Sequence, residues 1–222
     1  MRKILFLTLL SPFVIISAQA RLEINNLTGS QSVFQAVSSA NGTSLKYEDI
    51  EGSPYYSKVF QKAFVGEKYG NIDVRYNAYT DDIEFSKDGK VEVLPKQEDF
   101  YRVEVIPTKE TFVYFGNTAE PKGYLIEIAK GKNSVYKKSK VNFKDVTPAA
   151  NTYQTAKPAM FKVQEPVYYL KTESGTISKI SSLKKVAELF PGKEDEYNKY
   201  IKSNKLKFTD ADLVKLMTFI NQ

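Results

Sequence analysis

Alternation of apolar and polar side chains, repeated in short segments between residues 54 and 171, is the feature that most constrains the fold of this chain. In residues 72–79, for example, apolar side chains occupy the even positions and mostly polar ones the odd positions. A period of two is typical of strands with one buried face. Further strands are predicted at 32–37, 55–65, 83–85, 91–94, 101–106, 111–115, 124–128, 135–143, 160–163 and 167–171. Short strands at this spacing predict an antiparallel meander that forms a sandwich, an open barrel or a strongly curved sheet.

One turn in this pattern has a specific signature. Asp88 and Gly89 lie between the alternating segments 83–85 and 91–94. An Asp-Gly pair in this position is typical of a two-residue hairpin turn, because both central residues need a positive φ. We therefore predict a β-hairpin here.

The C-terminal part changes to the period of helices. Three such segments are predicted, at 183–190, 194–203 and 210–220. Ser181 or Ser182 is the expected cap of the first helix and Thr209 that of the third, and Pro191-Gly192 should end the first. Because helices this short are not stable alone, we expect them to pack on one another and on the sheet.

Residues 1–20 have the three parts of a secretory signal peptide. Arg2 and Lys3 are basic, residues 4–16 are almost wholly apolar, and Ala18-Gln19-Ala20 places small residues at the cleavage position. The apolar run is shorter than the about 20 residues that span a bilayer. We predict a signal peptide at 1–20, an antiparallel β domain at 21–175 and a helical subdomain at 176–222. The mature protein should be periplasmic or secreted, with no integral membrane segment.

Histidine and cysteine are both absent from the chain. A Ser-His-Asp triad, a Cys-His pair and an ordinary zinc site are therefore excluded, as is an anchor on an acylated cysteine. An exported domain without disulfides favours a bacterial origin. Glycine-rich phosphate or dinucleotide loops are also missing. We predict no cofactor and no metal.

Asp82 and Glu84 are the candidate catalytic pair. In an extended segment they point to the same side, with Cα atoms about 6.6 Å apart, and paired carboxylates can hydrolyse glycosides. Every acidic pair at this spacing in a strand shares that geometry, so we favour a polar, solvent-facing strand edge. Asp81 could join the pair as an oxygen ligand of calcium, but the spacing of a calcium loop is missing. The acids at 194–196 are expected at a helix start, and no residue is assigned a catalytic, cofactor-binding or metal-binding role.

Positive charge is in mild excess. The net charge is +6, and loss of Arg2 and Lys3 with the signal peptide leaves about +4. Two lysine clusters occur, one of Lys137, Lys138 and Lys140, the other of Lys202, Lys205 and Lys207. Because nucleic-acid binders concentrate their cations on one face, we favour solvated lysines on a strand edge and a helix surface. Nucleic acid is not an expected partner.

Aromatic residues are abundant, with 15 Tyr and 14 Phe but no Trp. Tyr55-Tyr56 and Tyr168-Tyr169 are adjacent pairs, so an extended chain directs one ring of each pair to either face. Rings in strands are more often buried, whereas exposed rings can bind a partner.

The segment Gly52-Ser53-Pro54-Tyr55, followed by Arg75-Tyr76-Asn77-Ala78-Tyr79 and Asp82-Ile83-Glu84-Phe85, resembles a family of exported, β-rich bacterial proteins of unknown function. Members of that family end in a lysine-rich helical tail similar to residues 183–220. The resemblance implies an exported β-rich protein and brings no catalytic residues.

Together these features favour a non-enzymatic envelope protein that binds an envelope or extracellular partner or ligand through a β surface. Two alternatives remain open. One is a carboxylate-dependent glycan hydrolase that uses Asp82 and Glu84. The other is a protein whose basic surface binds an anionic polymer.

Overall fold

The computed structural model describes residues 29, 33, 35–40, 42–116, 118, 120–149, 151, 153 and 155–222. The predicted signal peptide and its cleavage site lie outside the described residues. Within them the chain forms strands β1 (Ala36–Ser38), β2 (Ser44–Lys46), β3 (Gln61–Val65), β4 (Tyr69–Asn77), β5 (Asp82–Lys87), β6 (Lys90–Val93), β7 (Arg102–Val105), β8 (Thr111–Phe115), β9 (Gly123–Ala129), β10 (Ser134–Lys138), β11 (Val141–Lys144), β12 (Met160–Val163), β13 (Val167–Lys171) and β14 (Ile177–Ile180).

Ten of these strands form one large antiparallel sheet, in the order β14-β13-β10-β9-β8-β7-β3-β4-β5-β6. Most neighbours are consecutive in sequence, as in a meander. Two pairs of neighbours are not consecutive in sequence. β3 pairs with β7, because β4, β5 and β6 continue the sheet on the other side of β3. β10 pairs with β13, because β11 and β12, which lie between them in sequence, form a separate ribbon. The predicted mainly β fold with a small C-terminal helical unit is confirmed, and the sheet does not close into a barrel.

The predicted hairpin at Asp88-Gly89 joins β5 and β6. Lys87 pairs with Lys90, and the two residues between them have φ values of 50° and 73°. These positive values are those of the turn that matches the twist of a two-residue hairpin.

Two short ribbons accompany the sheet. One pairs β1 with β2, and the other pairs β11 with β12. Phe161 on β12 donates its N–H to the Glu51 carbonyl at 2.8 Å, and Val141 on β11 donates to the Ala78 carbonyl at 3.0 Å. These bonds join the β11-β12 ribbon to Ala78, which follows β4, and to Glu51, which lies just after the short 3-10 helix Tyr47–Asp49.

The main core lies between the sheet and these ribbons. Register places Ala63, Val103 and Phe112 on one face, which we call the inner face. All three are buried, together with Ile72 and Phe85. Complete burial of each large apolar side chain contributes about 1.5–3 kcal/mol.

Three helices cover another part of the sheet: α1 (Leu183–Glu188), α2 (Glu194–Ser203) and α3 (Asp210–Ile220). The Ser182 hydroxyl accepts from the Lys185 N–H at 3.2 Å, and the Thr209 hydroxyl accepts from the Asp212 N–H at 3.3 Å, so both predicted caps are present. Leu213 and Leu216 on α3 are fully buried beside Val135. Among the described residues, no helix has the length and apolar character needed to cross a membrane.

Two strand predictions need correction. The predicted strand at 55–65 begins only at Gln61, and the predicted strand at 135–143 is two strands, β10 and β11. A single strand would place Val135 and Val141 on one face. Val135 instead packs with the buried residues of the helices, such as Leu213 and Leu216, a cluster that we call the helical core, whereas Val141 lies in the main core.

Two strands, β2 and β14, were not predicted, and β14 is an edge strand of the large sheet. The sheet therefore continues to residue 180, past the predicted domain boundary at 175. Ile177 and Ile180 are three residues apart, a spacing that also fits a helix. In the strand they point to opposite faces, and Ile180 joins the helical core while Ile177 does not.

Candidate functional site

Glu84, one member of the predicted acid pair, is held by an arginine and an amide. Arg75, directly opposite on β4, donates from Nε and Nη2 to Oε2 at 2.8 and 2.7 Å. Asn77 donates from Nδ2 to Oε1 at 2.8 Å. The Glu84 side chain is 1% exposed, so the predicted solvent-facing edge is wrong for this residue.

The Arg75 guanidinium is itself enclosed by aromatic rings. Its Cζ lies 3.7 Å from the Tyr55 ring centroid and 4.3 Å from that of Phe60, and Nη2 donates to the Tyr55 hydroxyl at 2.8 Å. Such stacking stabilises a cation, the more so when it is shielded from water. Because both Glu84 oxygens are engaged, this cluster is suited to holding strands together and poorly suited to proton transfer.

The neighbouring acids bind different cations. Lys96 contacts Asp82 at 2.8 Å, and Lys138 contacts Asp81 at 2.7 Å. Asp81, Asp82 and Glu84 therefore do not converge on one point. Within the part of the chain that the structure describes, no group of three or more acids could hold a metal ion.

Asp81 connects the turn after β4 to β9 and β10. Its Oδ1 accepts from the Lys138 Nζ at 2.7 Å, from the Tyr76 hydroxyl at 2.8 Å and from the Tyr124 N–H at 3.2 Å. Burial lowers the pKa of Lys138, with Asp81 opposing the change. Burial, assisted by Asp81, raises the pKa of Tyr76. The cluster has a structural role, since its groups satisfy one another.

The two lysine clusters differ in their surroundings. Lys137 bonds Asp210 on α3 at 2.5 Å, and its side chain is only 14% exposed. Lys138, bound to Asp81, is 18% exposed. The prediction of solvated lysines is therefore wrong for these two and holds for Lys140. The other cluster, Lys202, Lys205 and Lys207, is exposed on and just after α2.

Tyr168 and Tyr169, on β13, separate as predicted for an extended chain, whereas Tyr55 and Tyr56 lie before β3 and both contact the main core. Tyr168 contacts Phe208 on the helical side, whereas Tyr169 joins an apolar cluster on the other side of the sheet. Burial and a bond to Glu120 raise the pKa of Tyr169 to about 12. Tyr55 stacks on Arg75, and Tyr56 is 37% exposed and donates to Glu110 at 2.7 Å.

A groove of about 950 Å³ lies on the sheet face opposite to the inner face. We call it the outer groove. Register places Arg102 beside Val113, and Glu127 beside Tyr136, on strands β7 to β10. The residues that line the outer groove are Lys96, Gln97, Tyr101, Arg102, Val113, Tyr114, Phe115, Gly116, Thr118, Glu127, Lys130, Gly131, Lys132, Ser134, Tyr136, Lys171, Thr172 and Glu173.

An ion pair crosses the floor of the outer groove. Arg102 donates from Nη1 and Nη2 to the two oxygens of Glu127 at 3.2 and 2.7 Å. The bond to Glu127 raises the pKa of Arg102. A two-bond pair of this kind fixes both side chains, so the floor is preformed.

Cations outnumber acids in the outer groove. Five cationic side chains line it, Lys96, Arg102, Lys130, Lys132 and Lys171, against two acidic ones, Glu127 and Glu173. Lys96 and Arg102 are engaged with acids. The other three, which we call the lysine rim, are exposed and make no ion pair with any described residue. The lysine rim is therefore available to an anion.

Aromatic rings form part of the groove wall. Phe115 and Tyr136 meet edge to face, with ring centroids 5.0 Å apart. Burial raises the pKa of Tyr136, with Glu127 adding to the effect. Tyr101 stands at the margin and is 42% exposed. Rings beside cations give a site that can recognise both a flat molecular surface and a negative charge.

Comparisons with protein-family models, curated proteins and solved structures found no match for this chain. The resemblance stated for the Gly52–Phe85 region therefore stays a prediction.

Sequence reasoning missed the outer groove. Its residues come from five strands and several turns, and only the register brings them together. One usable signal was present: Arg102 and Glu127 are charged residues within strands whose other face is apolar. The lysines at 130 and 132 lie between the predicted strands at 124–128 and 135–143, where charge is ordinary.

Proposed function

We propose that this chain is a non-enzymatic binding protein that holds an anionic, ring-containing ligand in the outer groove. The observation that carries the proposal is the lysine rim: three exposed cations without an ion-pair partner among the described residues, at one end of an aromatic-lined groove. The outer groove lies on a face of the β-sheet, which agrees with the binding through a β surface that the sequence favours. An exported, envelope-associated location remains part of the proposal on the strength of the predicted signal peptide.

The hydrolase alternative has less support. Glu84 would have to donate or accept a proton, yet its oxygens are bound by Arg75 and Asn77. Asp82 faces Lys96 and not a second free carboxylate.

The test uses pyrene trisulfonate, a fluorescent anion with a flat ring system. The purified protein should bind it and quench or shift its emission, with an affinity that falls as salt rises, because exposed charges are screened. The double variant Lys130→Glu/Lys132→Glu should lose at least tenfold in affinity.

A matched control keeps the charge change and moves its position. Lys202→Glu/Lys205→Glu removes two exposed lysines of the helical unit, outside the groove. This variant should bind the probe within about twofold of the unaltered protein. Equal losses in both double variants would mean that overall charge, and not the outer groove, governs binding, and would contradict the proposal.

A further inference from the structure

The outer groove is elongated along the strands. Gly116 and Thr118 follow the end of β8, which pairs with the start of β9, whereas Lys130 follows the end of β9. All three line the same groove. The groove therefore extends along the whole of β9, whose seven residues are separated by six steps of about 3.3 Å, or about 20 Å in all. A channel of this length suits an extended chain better than a compact molecule.

Cationic side chains lie at both ends of this channel. Lys96 stands with Gln97 and Tyr101 on the connection that precedes β7. Its ammonium is paired with Asp82 at 2.8 Å and its side chain is 36% exposed, so two of its three N–H donors are left for a ligand oxygen. The lysine rim stands at the other end, in the turn after β9 and at the last residue of β13. A ligand that contacts both ends must carry more than one negative group. Repeating anionic units meet this requirement.

Acidic and neutral polar groups in the groove limit the kind of anion. Glu173 is exposed at the lysine-rim end and makes no ion pair with a described residue, and Gln97 adds an exposed amide group. The hydroxyl groups of Ser134 and Thr118 are hydrogen-bonded within the chain, to Gly131 and Pro121. A free carboxylate repels any anionic group placed against it, phosphate or carboxylate, and accepts hydrogen bonds from hydroxyl groups. The groove is therefore better matched to a ligand that carries many hydroxyl groups between its charges.

The aromatic residues favour sugar rings over stacked bases. Binding of single-stranded nucleic acid relies on exposed rings on which successive bases stack. Of the four aromatic residues that line the groove only Tyr101 is exposed, since Tyr114 is half-buried and Phe115 and Tyr136 are 9% and 7% exposed. One exposed ring at the margin suits contact with a single pyranose face.

We infer that the ligand is an acidic polysaccharide, a chain of uronate-containing sugars that lies along β9 with carboxylates at both cationic ends. The inference rests on the proposed function, because it names the ligand of the same groove. Carboxylates of the sugar chain meet the lysine rim and Lys96, and its hydroxyl groups meet Glu173 and Gln97.

The experiment measures displacement of pyrene trisulfonate by α-1,4-linked oligogalacturonates, from the disaccharide to the octasaccharide. Affinity should rise at least tenfold with length and level off once the oligomer spans the groove. The Lys96→Gln variant should remove most of this gain, because a short oligomer occupies the lysine rim alone. Lys171→Gln should weaken short and long oligomers alike.

Two comparison ligands make the result specific. Neutral maltooligosaccharides of equal length should not displace the probe, and oligothymidylate of equal charge should bind more weakly than the galacturonate. An affinity independent of length, equal binding of the neutral sugar, or tighter binding of oligothymidylate would overturn the inference. If the probe binds but no galacturonate displaces it, the inference fails while the proposed function stands. If the probe itself does not bind, both fail.

Discussion

Asn221, the residue that ends α3, is hydrogen-bonded to Asn133 in the turn between β9 and β10. Its Oδ1 accepts from the Asn133 N–H at 2.9 Å and from Nδ2 at 3.1 Å, and its Nδ2 donates to the Asn133 carbonyl at 2.9 Å. Asn133 Oδ1 in turn accepts from the Glu173 N–H at 3.0 Å. The end of the helical unit thus positions the turn that carries Lys130 and Lys132 and the turn that follows Lys171 at the end of β13.

We predict that Asn221→Ala loosens these turns. The variant loses three hydrogen bonds, which should reduce stability by about 1–3 kcal/mol. Hydrogen exchange should accelerate at residues 130–134, and affinity for pyrene trisulfonate should fall although Asn221 does not line the groove. Asn204→Ala is the matched control, since Asn204 ends α2 and its Nδ2 bonds only within that helix end. Unchanged exchange in the 130–134 turn of the Asn221 variant would refute the coupling.

Removal of the Glu84 charge should be strongly destabilising. Glu84→Gln leaves the Arg75 guanidinium, 10% exposed, without its counter-charge, and breaking a buried ion pair in this way costs about 3–5 kcal/mol. Chemical denaturation measures the change. Glu48→Gln is the control, because the Lys46–Glu48 pair has side chains 72% and 75% exposed and exposed pairs contribute at most about 1 kcal/mol. Equal stability of the two variants would show that Glu84 is not essential to the fold.

Alternation along the chain was sufficient to predict the class of fold and several individual elements. The β8 strand, the Asp88-Gly89 turn and the caps at Ser182 and Thr209 all depend on near neighbours in sequence, and the sequence analysis predicted each of them. The break between β10 and β11 depends on which core each half joins, and that choice is made by distant residues.

Charged clusters were harder to predict for the same reason. Asp82 and Glu84 were recognisable as a pair, but their partners Lys96 and Arg75 come from other strands and connections. Register alone decides that Arg75 faces Glu84 and that Arg102 can reach Glu127. A single sequence gives the period of a strand and does not give its neighbour.

Tyr124 and Tyr76 should respond in opposite ways to loss of the hydroxyl. The Tyr124 hydroxyl is buried and makes no hydrogen bond in the described structure, whereas the Tyr76 hydroxyl donates to Asp81 at 2.8 Å. An unsatisfied buried hydroxyl costs about 1–3 kcal/mol. Tyr124→Phe should therefore raise the melting temperature, and Tyr76→Phe should lower it. A lower melting temperature for the Tyr124 variant would show that its hydroxyl is satisfied in solution.

Stability should be lost in alkaline solution because many tyrosines are buried. Burial is the largest cause that raises the pKa above 10.0 for each member of the set Tyr47, Tyr55, Tyr56, Tyr76, Tyr124, Tyr136, Tyr168 and Tyr169. In the unfolded chain these groups ionise near pH 10, whereas in the fold they stay protonated to higher pH. Their contribution to stability is complete below pH 10 and decreases as the pH rises above it.

Lys138 acts in the opposite direction. Its pKa in the fold lies below the ordinary 10.5. Between this lowered pKa and pH 10.5 the unfolded state binds more protons than the folded state, so the contribution of Lys138 to stability rises with pH in that range. One lysine opposes eight tyrosines, and the tyrosines therefore dominate above pH 10.

We expect tyrosinate absorbance and far-ultraviolet circular dichroism to change together in one cooperative step above pH 10, and to recover on return to neutral pH. Tyr124→Phe should move this step to higher pH, because the variant removes one buried ionisable group without removing a hydrogen bond. Ionisation of all the tyrosines near pH 10 with an unchanged dichroism spectrum would contradict the burial of these rings in solution.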